Sequence, residues 1–116
     1  MTAEAGAEAE RAALAYLLQR GLSQVEANYR SRFGEIDLIM RDGETLVFVE
    51  VRLRSSGRFG GAAASITEAK RRKIVATAQH YLARCRPTPP CRFDVVLLGS
   101  GAPPKIEWLP DAFAAD

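Results

Sequence analysis

The amino-acid sequence predicts an α/β fold, a mixed central sheet flanked by helices in the order α-β-β-β-α-β-β, and three observations carry that prediction. The run Gly34–Arg54 alternates apolar and polar residues on both sides of Asp42-Gly43, a strong turn signal, and reads as a β-hairpin. Helical spacing precedes and follows that hairpin, and each stretch ends at a stop signal: Gly21 after the first, Pro87, Pro89 and Pro90 after the second. The short apolar run Arg92–Leu98 then reads as a central strand. At 116 residues the chain has room for one core, so residues 1–116 are expected to form a single domain.

The first helix is expected from about Glu8 to Arg20, with Ala9, Ala13, Tyr16 and Leu17 at helical spacing. Val25, Ala27 and Tyr29 alternate, which places a first strand from about Ser23 to Arg30. After the hairpin, Ser55-Ser56-Gly57-Arg58-Phe59-Gly60-Gly61 reads as a loop able to arch over it. Ser65-Ile66-Thr67-Glu68 has the capping-box pattern, in which Ser65 and Glu68 satisfy each other's amides and start the second helix. That helix is expected to run to about Ala83, with Ile74, Ala78, Tyr81 and Leu82 toward the core and Lys70, Lys73 and Thr77 along one flank. Lys105 to Leu109 reads as an edge strand with Trp108 packed on the sheet, and Asp111–Phe113 as a short terminal turn.

The hairpin carries the chemistry. With Asp42 and Gly43 as the loop, Arg41 faces Glu44, Glu35 lies opposite Glu50, and Asp37 lies opposite Phe48. Residues two apart share a face, so Glu35, Asp37, Glu50 and Arg52 project to one side, together with Ile39, Leu46 and Phe48. Ile36, Leu38, Met40, Val47, Val49 and Val51 project to the other. Crowded carboxylates either raise a pKa or call for a cation, and a hard cation such as Mg²⁺ or Mn²⁺ takes one or two carboxylates, several waters and substrate phosphate oxygens. The plainer alternative is a solvated polar face on an amphipathic hairpin, with Arg52 balancing Glu50.

Bulk composition is that of a globular protein, 47% apolar and 26% charged, with a net charge of +2. The charge is unevenly spread: no acid stands between Glu68 and Asp94, while Lys70, Arg71, Arg72, Lys73, Arg84, Arg86 and Arg92 are all basic. The first residues lack a positive, then apolar, leader pattern and no run approaches a membrane span, so a cytoplasmic protein without a membrane partner is expected. Cys85 and Cys91 are expected to be free thiols, and the absence of CxxC or a His cluster argues against zinc.

A metal held by Asp37 and Glu50 would lower the pKa of a bound water and orient it toward a phosphodiester, with Arg52 clamping the phosphate. Arg54, Arg58, Lys70, Arg71, Arg72 and Lys73 are the candidate nucleic-acid contacts, of the salt-sensitive backbone type.

The segments GEIDLI, DG, VFVEVR, a downstream FG and the AKRRKI helix resemble the UPF0102 (YraN) family of small bacterial proteins, and the resemblance extends through RFDVV to Trp108 and Asp111-Ala112-Phe113. It implies a restriction-endonuclease-like αβββαβ core, of the PD-(D/E)XK nuclease group and related to archaeal Holliday junction resolvases. It further implies Asp37 as the first metal-binding acid, Glu50 as the acid of the Glu-x-Lys element, and Glu8 as a helix-borne acid of the resolvase type. Glu35 belongs to the GEIDLI signature itself. One position departs from the motif: Glu50-Val51-Arg52 carries arginine where lysine is the rule, and arginine keeps the charge without the capacity to lose a proton. Lys70 on the following helix is a candidate to take over. Three expectations follow: an endonuclease acting on branched or structured DNA, a nucleic-acid-binding protein that keeps the fold without catalysis, or a protein-interaction or homodimeric subunit whose acids only form ion pairs with Arg30, Arg32 or Arg52.

Overall fold

The computed structural model describes residues 3–53 and 66–115. The elements are α1 (Ala3–Gln19), β1 (Ser23–Ser31), β2 (Gly34–Asp42), β3 (Thr45–Leu53), α2 (Glu68–Leu82), β4 (Cys91–Leu98) and β5 (Ile106–Phe113). The five strands form one mixed sheet in the order β1-β2-β3-β4-β5. Neighbours are antiparallel except β3 and β4, which run parallel and are joined across one face by α2. This is the α/β class and the element order expected. No described helix is long and apolar enough to cross a membrane.

The strands separate two apolar layers. On one face α1 buries Ala9, Ala13 and Leu17 against Leu38, Met40, Val47, Val49, Val51, Val96 and Leu98. On the other, α2 buries Ile74, Val75 and Ala78 against Ile39, Leu46, Phe48, Phe93, Val95 and Leu97. The hairpin therefore splits its faces as the alternation requires, but both are covered, and the acid-bearing face is the end of the α2 core. Its plainer description as a solvated surface is thereby corrected.

Four local expectations change. The hairpin closes on Asp42–Thr45 with Leu38 opposite Val49, so the loop is Gly43-Glu44 and the register is displaced by two residues. Gly43, at φ +62°, occupies the first loop position, which glycine adopts without steric cost. Ile36 packs with Tyr29 and Ile39 in the α2 layer rather than beside Leu38. Helix α2 is capped by Thr67, whose Oγ1 accepts the Lys70 amide at 3.1 Å; Ser65, the expected cap, lies outside the described residues. Thr77 is fully buried, its hydroxyl donating to the Lys73 carbonyl at 2.8 Å, instead of lying along the helix flank.

At the C-terminal edge the expected turn is a continuation of β5, which reaches Phe113 through a bulge at left-handed Asp111 (φ 53°). The fully buried Asp94 carboxylate secures it, accepting from Trp108 Nε1 at 2.9 Å, the Asp111 amide at 2.9 Å and Arg92 Nε at 3.0 Å. The loop candidates Arg54 and Arg58 lie outside the described residues. Cys85 and Cys91 are free.

Candidate functional site

The β2–β3 ladder stops at Leu38–Val49, and the strands fork where Asp37 would face Glu50. Asp37 stands in the fork: its Oδ2 accepts the Val51 amide at 2.8 Å, a donor that a continued ladder would give to backbone. The two-residue register displacement keeps the faces as far as Leu38–Val49; beyond it Ile36 joins the α2 layer, and Asp37 is left beside Glu50 instead of Phe48. Burial pushes the Asp37 carboxyl up to about 7, the Glu50 carboxylate adds to the rise, and the Val51 amide opposes it.

Glu50 comes from the middle of the sheet and is buried. Lys70, one turn into α2, brings Nζ to 3.6 Å from Glu50 Oε2, and Arg52 Nη1 lies 3.4 Å from the same oxygen. Lys70 and Arg52 thus meet at the same Glu50 oxygen, one from the helix and one from the strand. Thr67, the N-cap, starts the helix so that Lys70 falls in its first turn, from which Nζ reaches Glu50.

The helix acid at the fork is Glu10, which the sequence reading missed. Glu8 is exposed and borders a shallow hollow with Ala12, Leu53 and Leu98; two residues along a helix turn a side chain by about 200°, which carries Glu10 to the opposite side. Asn28 Nδ2 donates to Glu10 Oε1 at 2.9 Å. Burial raises the Glu10 pKa and the Asp37 and Glu35 charges add to it, while the Asn28 hydrogen bond works the other way. Asn28 lies between the Ala27–Leu38 and Tyr29–Ile36 pairs, across from Asp37, in the left-handed region at φ 52°. An asparagine just before two aromatic or basic positions of an edge strand was the available signal, since asparagine is among the few residues that tolerate that conformation. Glu35 is half-buried and engaged by Arg30 Nε at 3.2 Å.

The basic run does not form one patch, because successive helical residues diverge by about 100°. Lys70 faces Glu50, the Arg71 guanidinium lies 5.7 Å from the Phe113 ring centre, Arg72 pairs with Glu68 at 2.9 Å, and Lys73 is exposed beside Gly34. Asp37 and Glu50 are the pair able to hold a metal. Among the described residues no three acidic, His or Cys side chains converge as a metal cage. A buried Glu50 beside a half-buried Asp37 whose carboxyl is raised would suit a Mg²⁺ or Mn²⁺ ion that keeps its waters and draws further ligands from a phosphate, and does not suit an all-protein cage.

Comparison with known proteins shows the family. The model of the "Uncharacterised protein family UPF0102" matches residues 9–98. The chain belongs to the UPF0102 family. It is 57% identical over 108 residues to a UPF0102 protein of Nitrosomonas europaea, covering 93% of this chain and 92% of the relative. A UPF0102 protein of Cupriavidus taiwanensis is 60% identical over 113 residues (96% and 83% covered), and one of Methylobacillus flagellatus 54% over 110 residues (95% and 96%). The match spans α1 from Ala9 through β4, so the UPF0102 segment includes Glu10, Asn28, Asp37, Glu50 and Lys70 together.

Proposed function

We propose that this UPF0102 chain is a metal-dependent endonuclease that hydrolyses phosphodiester bonds in branched or structured DNA at the fork between β2 and β3. The observation that carries the reading is Lys70 Nζ at 3.6 Å from Glu50, beside a carboxyl, Asp37, raised to about 7. An α-β-β-β-α-β order with a parallel β3–β4 pair supports a restriction-endonuclease-like core.

In this scheme Asp37 and Glu50 hold Mg²⁺ or Mn²⁺. These residues would hold the ion, whose chemistry would be to lower the pKa of a water and to offset charge on the phosphate. Lys70, an amine able to release a proton, orients the attacking water from the α2 side. Arg52 stays charged and grips the phosphate. Glu10, steadied by Asn28, completes the site from the α1 side. A junction presents two symmetric strands, so the reading expects a homodimer on DNA.

The second reading, a DNA-binding protein without catalysis, is favoured by one observation: Arg52 already engages Glu50 at 3.4 Å and neutralises the carboxylate a metal would use. Calorimetric titration of Mn²⁺ into the wild type and an Asp37→Ala/Glu50→Ala variant tests the metal site; equal heats in both would remove it. Junction binding and cleavage at low salt, compared with Arg52→Lys, then separate the two readings, because DNA bound and never cut by either protein leaves only the second.

A further inference from the structure

We infer that the β1–β2 turn, Arg32-Phe33, is a wedge that reads DNA structure: the Phe33 ring stacks on a base left without its neighbour at a branch point, while Arg32 and Lys73 hold the flanking phosphates. The inference deepens the nuclease reading and rests on the fork being a DNA site. Among the large apolar side chains exposed in the described residues, Phe33, at 39%, is the aromatic one. Ser31 pairs with Gly34, so the turn has two residues and Phe33 stands at its tip. Exposed tips are commonly mobile, but this one is tied to the core. The Phe33 amide donates to Ser31 Oγ at 3.0 Å, Ser31 Oγ to Thr77 Oγ1 at 3.4 Å, and the fully buried Thr77 hydroxyl to the Lys73 carbonyl at 2.8 Å. A Cβ on Gly34 would stand 3.5 Å from both Lys73 Cβ and Thr77 Oγ1, so α2 backs the turn at van der Waals distance. An apolar ring held in water on so fixed a mount gains little for folding, and loses little entropy when a flat partner covers it.

The charge around the ring selects a nucleic acid as its partner. Arg32 and Lys73 are exposed, Lys73 lies beside Gly34, and neither has an ion-pair partner among the described residues. Arg32 touches the Phe33 ring at 4.9 Å, an exposed cation–aromatic contact of the weak kind that a phosphate displaces. Glu35, the acid next to the turn, is engaged by Arg30 at 3.2 Å. An aromatic face for bases with cations for the backbone is the composition of single-strand nucleic-acid sites, and apolar wedges enter unstacked base steps in the same way. From Phe33 the chain runs along β2 to Asp37, a rise of about 13 Å in extended form. That equals about four nucleotides along one strand of B-form DNA, so a base held at the tip sets the phosphate at the fork about four nucleotides away.

The test uses the full chain and a four-way DNA junction carrying 2-aminopurine at the branch point, with a duplex of equal length as control. Binding is measured in Ca²⁺, which accepts carboxylate and phosphate oxygens without the octahedral geometry of Mg²⁺. The wild type is expected to prefer the junction and to brighten the probe as its base leaves the stack. Phe33→Ala should lose about tenfold in junction affinity together with the brightening, at unchanged duplex affinity, and Phe33→Trp should keep both. Lys73→Ala should weaken junction and duplex alike. The unchanged duplex affinity of Phe33→Ala and the retained binding of Phe33→Trp separate loss of the ring from loss of the fold. A wild type that binds junction and duplex equally or not at all would overturn the inference, as would a Phe33→Ala that keeps the preference or loses affinity for both DNAs equally. Replacing Ca²⁺ by Mg²⁺ tells the two claims apart: a wild type with this preference that cuts nothing defeats the nuclease reading alone, and one that cuts while Phe33→Ala keeps the preference defeats the wedge alone.

Discussion

Asp37 does two incompatible things at once. It replaces a backbone acceptor for Val51 and it crowds the buried Glu50 carboxylate. Its carboxyl is raised from 3.8 to about 7, so between those values the native state binds more protons than the unfolded chain. The stabilising contribution is full below the unfolded pKa and is lost as pH rises through 7. Thermal unfolding is therefore expected to show a Tm higher at pH 5.5 than at pH 8, by on the order of 5 °C, with the slope much reduced in Asp37→Asn. A flat wild-type profile would contradict the crowding. At neutral pH Mg²⁺ is expected to replace the proton and raise Tm in the wild type but not in that variant. Side-chain parity made Asp37, Glu50 and Arg52 legible as neighbours from the sequence alone, even though the loop moved by two residues. Glu10 was not legible, because its approach to Asp37 depends on how α1 crosses the sheet and on a left-handed Asn28.

At the level of elements, caps and edges decide where the side chains arrive. Thr67 sets the first turn of α2, and with it the reach of Lys70; Thr67→Ala is expected to cost about 1 kcal/mol by chemical denaturation. Sequence pattern pointed two residues upstream, to Ser65, because both positions carry a hydroxyl near Glu68 and only packing of Ile66 and Ile74 against the sheet distinguishes them. Strand β5 was legible as an edge only up to Leu109, since Pro110 and left-handed Asp111 resemble a turn. What keeps it paired is Asp94, fully buried and served by Arg92, Trp108 and the Asp111 amide. Arg92→Met leaves that carboxylate without its cation and is expected to cost about 3 kcal/mol. Hydrogen exchange should then rise first in β5; uniform change across the sheet would show that Asp94 is not its fastening.

At the scale of the described fold, the sheet has a divided core and opens at the β2–β3 fork, where α1, α2 and both hairpin strands contribute polar side chains. The α/β class was legible because each element carries its own period and stop signal, whereas the convergence of α1 and α2 on Asp37 is a tertiary property that no local pattern encodes. If the fork binds DNA through phosphates, affinity should fall steeply between 50 and 200 mM salt, by about tenfold or more. Affinity indifferent to salt would exclude the electrostatic role of Lys70, Arg72 and Lys73. The central claim is that Asp37 and Lys70 form one catalytic unit although the motif lysine is missing. It is tested most directly by Mg²⁺-dependent cleavage of a four-way DNA junction by the wild type, Asp37→Asn and Lys70→Met at matched junction occupancy. The account predicts cleavage by the wild type and a loss of about 10²-fold or more in both variants with binding retained; a wild type that binds the junction and leaves it uncut, or a Lys70→Met that cuts at the wild-type rate, would contradict it.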